Sequence, residues 1–88
     1  MTRYTVVYSA QVMDELAEIW LNHAEARSAI TSASHVIDVT LAENGASKGI
    51  QVGARLREFT EAPLTVYFVA SRADRIIRIV RVLFVRNA

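Results

Sequence analysis

The 88 residues include no cysteine, so neither a disulfide framework nor a thiolate metal site is available. A small domain of this kind must be held by packing or by a partner subunit. Proline occurs once and glycine three times, too seldom for a low-complexity or collagen-like chain. Long apolar runs are missing as well. The uncharged stretches 4–13, 28–37 and 62–71 hold ten residues each, whereas a membrane helix needs about 20. The start of the chain carries Arg3, but Tyr8, Ser9 and Gln11 interrupt the run to Asp14 and no small-residue cleavage pattern appears. The expectation is an untargeted protein of a reducing cytoplasm. Hydrophobic residues are abundant, 52% against 22% charged, which marks a folding sequence and a single domain over residues 1–88.

The formal charge of +1 conceals two opposed halves. Residues 1–47 hold two arginines against six acids, and residues 48–88 hold eight basic residues against three acids. A basic half suggests an anionic partner, either nucleic acid or an acidic protein segment. Arginines that keep strand edges soluble are the plainer alternative.

Hydrophobic periodicity divides the chain. Residues 4–8 (YTVVY) are β-branched and aromatic and precede Ser9, a helix N-cap candidate. Over residues 10–24 the apolar Val12, Met13, Leu16, Ile19 and Trp20 recur every three or four positions, opposite Asp14, Glu15 and Glu18. A second helix is predicted over 28–43, with Ile30, Ala33, Ile37 and Leu41 inward and Asn44-Gly45 as its stop. Gly45, Gly49 and Gly53 read as a loop. Strands are predicted at 54–59, 64–70 and 76–85, joined at Pro63 and by a turn over 71–74. The expected fold is α+β in the order β-α-α-β-β-β, an antiparallel meander sheet with a helical hairpin packed on one face.

Most catalytic patterns are lacking. His23 and His35 lie twelve apart on predicted helices without an HExxH motif, so no metal site is expected. Lys48 sits in no phosphate-loop context, and the serines occupy cap, helix and turn settings. No cofactor is expected. There remains an arginine series on the predicted strands. Arg55 and Arg57 share a strand face with Phe59, whereas Arg78 and Arg81 differ by an odd number and point to opposite faces unless a bulge intervenes. Guanidinium groups grip phosphate or carboxylate bidentately, so Arg55, Arg57, Arg78, Arg81 and Arg86 are candidate contacts. Tyr67 either stacks a base or fills the sheet face.

The order strand, helix, helix, meander, with YSAQVMDELAEIW over 8–20 and REFTEAPLTVY over 57–67, resembles the RelE/ParE toxin superfamily. The resemblance covers nearly the whole chain. Leu16, Ile19 and Trp20 reproduce the family's Leu-x-x-Ile-Trp helix pattern, and residues 76–85 its closing apolar strand with interspersed basic residues. It implies the toxin of a type II toxin–antitoxin, or plasmid stabilisation, module that inhibits growth until a cognate antitoxin wraps it. RelE-like members cut mRNA on the ribosome, whereas ParE-like members inhibit DNA gyrase without evident catalytic residues. Here no arginine occurs from 63 to 71, and Phe84 and Val85 replace the polar end of cleaving relatives. In-line attack by a 2′-hydroxyl needs a proton acceptor and charge stabilisation. The reading is therefore ParE-like, acting by protein binding, in a homodimer or a toxin–antitoxin hetero-oligomer and without a membrane. The alternatives are a RelE-type ribosome-dependent mRNA endoribonuclease and a degenerate, non-toxic member that only binds a partner.

Overall fold

Local chemistry sets the first boundary in the computed structural model, which describes residues 3–85. The β-branched stretch Thr5–Tyr8 forms strand β1 and stops at Ser9, whose Oγ accepts from the Val12 amide at 3.1 Å and starts helix α1, Ala10–Asn22. The carbonyls left at the end of α1 are met by Arg27: its Nε donates to Trp20 O at 2.9 Å, and its guanidinium lies 4.2 Å over the Trp20 ring. A single 3-10 turn, Ala24–Ala26, leads to helix α2, Arg27–Asn44. The strands β2 (Ile50–Gln51), β3 (Leu56–Glu61), β4 (Leu64–Ser71) and β5 (Ile76–Phe84) complete the order.

The sheet has five strands in the order β1-β5-β4-β3-β2. The expectation of a β-α-α-β-β-β order and a wholly antiparallel meander is corrected twice. β2 is an additional strand inside the stretch read as loop, pairing Ile50 with Glu58 and Gln51 with Arg57. β1 pairs with β5 in parallel, Thr5 opposite Ile76 and Tyr8 opposite Ile79, so the sheet is mixed. Alternation tells which side chains face the core but not which neighbour a strand takes or in which direction. The coarser α+β class holds.

Both helices cover one face. Ile30, Ala33, Ile37 and Leu41 of α2 and Val12 of α1 pack on Leu64, Val66 and Phe68 of β4 and on Ile77, Ile79 and Val82 of β5. Two helix-to-sheet bonds fix the layers. The Glu15 carboxylate accepts the Val82 amide at 3.2 Å, and the Tyr8 hydroxyl donates to Asp38 Oδ1. The helices themselves do not pack tightly together: their backbones mostly stay more than 8 Å apart and leave a groove. No described helix is long and apolar enough to cross a membrane.

Burial, and then the hydrogen bond to Asp38, push the Tyr8 phenol well above its ordinary value of 10.0. A raised folded-state value stabilises the fold fully below the unfolded value, and the contribution is lost as pH rises through the folded one. Stability is therefore expected to fall from pH 10.0 upward. Tyr8→Phe should flatten that alkaline limb while costing about 1 kcal/mol at neutral pH, where the Asp38 bond is lost. Urea unfolding at neutral and at strongly alkaline pH checks both.

Candidate functional site

A β-bulge decides where the arginines point. Along β5 the buried residues are Ile77 and Ile79, then Val82, a spacing of two followed by three. The register accounts for it: Tyr67 pairs with Arg81 and Phe68 with Ile79, so Val80 is the extra residue. Arg78 and Arg81, an odd number apart, consequently both stand on the face that the helices leave open. Val80 lies there too and is exposed.

Two rows of side chains cross this face. In one, Val7, Arg78, Val69 and Leu56 are successive cross-strand neighbours; in the next, Arg81, Tyr67, Glu58 and Ile50. Tyr67 thus sits between a cation and a carboxylate. Hydrogen bonding to Glu58 pushes its phenol above the ordinary value; burial and the Glu58 charge add to the effect and Arg81 opposes it. At neutral pH the phenol is protonated. Further along, Thr60 and Thr65 join their hydroxyls at 2.7 Å. Glu58 is the face's one carboxylate among the described strand residues, and it stands directly across from Tyr67. The arrangement offers cations and donors to an anionic partner, with apolar Ile50 and Val80 beside them.

Arg55 and Arg57 lie elsewhere. Arg57 pairs with Phe68 and Phe59 with Val66, so Arg57 projects from the helix-covered side of the sheet. Its Nε donates to Lys48 O at 2.8 Å and its Nη2 to Gly49 O at 3.1 Å. Together with Arg55 and Arg72 it lines a hollow of about 240 Å3. Arg86 falls outside the described residues. The structure therefore brings Arg78, Arg81 and Tyr67 together and sets Arg55 and Arg57 apart from them.

Three features escaped the sequence reading. Glu58 becomes Tyr67's partner only through the β3–β4 register. Arg72 reaches the hollow from the β4–β5 turn. The third is the groove between α1 and α2, about 600 Å3, walled by Met13, Trp20 and Leu21 from one helix and by Thr31, His35 and Asp38 from the other. Its signal was present in the sequence, since Met13, Ala17, Trp20 and Leu21 form a helical stripe beside the core stripe. Met13 is 52% and Leu21 62% exposed, unusual for side chains of their size. Among the described residues no three metal-capable side chains converge. No protein-family model matches the chain, and no curated protein matches it significantly.

Proposed function

We propose that this protein is the toxin of a type II toxin–antitoxin module and acts, in the ParE-like manner, by binding a protein target, DNA gyrase being the target the resemblance implies. The observation that carries the reading is the open sheet face, where the bulge at Val80 aligns Arg78 and Arg81 around Tyr67. Guanidinium groups beside a hydrogen-bonding phenol and apolar rims suit an acidic protein surface. The same face is poorly equipped for RNA cleavage. Its one strand carboxylate, Glu58, stands across from Tyr67, whose own phenol holds its proton well past neutrality. No histidine belongs to it: His23 stacks on Phe84 with ring centroids 3.8 Å apart, and His35 lines the helical groove. In-line attack would find neither a histidine nor an ionised phenol as proton acceptor there.

The second half of the proposal is an antitoxin, and the groove between α1 and α2 is the surface offered to it. The groove is apolar along α1, and Asp14 and Glu18, both exposed, follow Met13 and Ala17 in sequence. An amphipathic segment with an apolar stripe and basic flanks complements that pattern and the acidic character of residues 1–47. A cytoplasmic location accompanies this reading.

Induction of the native chain in a bacterial host separates the mechanisms. The expected result is arrested growth with relaxed plasmid DNA and intact mRNA. Messenger cut at defined codon positions would instead assign a ribosome-dependent nuclease.

A further inference from the structure

We propose that the hollow ringed by Arg55, Arg57 and Arg72 is an anion site that takes a phosphate monoester group. It stands on the helix side of the sheet, apart from Arg78 and Arg81, and does not depend on the toxin reading.

The charge in the hollow is uncompensated by its own lining, which includes no carboxylate. Arg57 is the fixed member. Backbone carbonyls of Lys48 and Gly49 hold its guanidinium by two bonds, which orient the group without neutralising it and use only part of its donor fork. The chain on both sides of β2 is itself tied down. The Lys48 amide donates to Asn44 O at 3.1 Å, and beyond the strand Gln51 Nε2 donates to Gly53 O at 3.1 Å and to Ala54 O at 3.3 Å, so that wall is set before any ligand arrives. Arg55 and Arg72 are exposed and approach from the start of β3 and the turn after β4. The remaining walls include Ala46, Ala54 and Ala70, whose short side chains leave the space open.

Size and charge geometry choose the ligand class. A volume of about 240 Å3 lies below the roughly 300–1,000 Å3 of sites that enclose whole drug-sized molecules, so the hollow fits a headgroup with its waters. A carboxylate presents two oxygens, enough for one or two forks. A phosphate monoester presents three terminal oxygens and close to two negative charges, and can accept from all three arginines at once. The ester oxygen then points outward, which leaves free phosphate and the phosphate of a nucleotide as sources of the same group.

The test is an amide chemical-shift titration of the full chain with inorganic phosphate, repeated with adenosine monophosphate, adenosine and acetate. Saturable shifts confined to residues 46–57 and 70–73 are expected with the two phosphates and not with adenosine. Arg72→Gln should weaken binding by about tenfold or more, and Arg72→Lys should restore part of it. Arg55→Gln provides an independent check, because Arg57→Ala also releases the loop it anchors. The combined Arg78→Ala and Arg81→Ala variant should bind as the native protein does. Tighter binding of the nucleotide than of inorganic phosphate, or equal binding, supports the site and identifies its source. Shifts on the open face, no saturation, acetate binding as tightly as phosphate, or an unaffected Arg72→Gln variant would each overturn it.

Discussion

Phe68→Ala is expected to cost about 3–5 kcal/mol, the largest loss of any single truncation in this fold. Phe68 has no exposed surface and sits on the central strand β4, pairing with Ile79 on one side and Arg57 on the other. Ile30, Ile37 and Leu41 of α2 belong to the same buried cluster, so the cavity left by the ring opens between two layers that cannot collapse together without moving a helix. Domains of this size are stable by only about 5–15 kcal/mol. The melting temperature should therefore drop by at least about 12 °C. A second effect arises from the strand's two faces. Phe68 adjoins the register shift at Tyr67, so losing it should also loosen Tyr67 and Arg81 on the open side. Thermal unfolding measures the first effect, and a loss under about 1 kcal/mol would mean that the core is not closed over Phe68.

Gly49→Ala is expected to destabilise by about 2–4 kcal/mol, although the residue is exposed. Its φ is +77°, the left-handed region that L side chains enter at a cost. A methyl group there would also lie on the Glu58 carbonyl oxygen and against Phe59. The carbonyl belongs to the strand that pairs with β2, so the backbone cannot yield without parting Ile50 from Glu58. Gly49 O is one of the two acceptors that hold Arg57, and the substitution should displace that guanidinium as well. Hydrogen exchange at the β2–β3 pair reads the damage locally. Native-like protection in the variant would contradict it.

These two residues show how unevenly the fold is written. Phe68 was legible as core from alternation in residues 64–70, because a half-buried strand repeats with period two. Gly49 was legible only as a loop glycine, since the strand it admits, Ile50–Gln51, is too short to carry a period. The parallel pairing of β1 was hidden for a different reason: direction and neighbour come from how the whole chain packs, and residues 4–8 are equally good strand in either sense. At the candidate face the spacing of Ile77, Ile79 and Val82 does encode the bulge, and with it the alignment of Arg78 and Arg81. The partnership of Tyr67 with Glu58, nine residues earlier, depends on the β3–β4 register, which the turn at Ala62-Pro63 sets. Arg57 illustrates the opposite case. Its residue type marked it as a candidate ligand group, while its first partners are two backbone carbonyls of its own chain.

The central claim is that the open sheet face, and not basic charge in general, is what acts on the cell. The most direct measurement compares bacterial growth after inducing three folded forms: the native chain, Arg78→Ala with Arg81→Ala, and Arg55→Gln with Arg72→Gln. Each pair removes two positive charges, so the two variants have equal net charge. Circular dichroism confirms that all three fold. The account predicts arrest by the native chain and by the Arg55/Arg72 variant, and normal growth with the Arg78/Arg81 variant. Normal growth with all three folded forms, or equal arrest by all three, would contradict it.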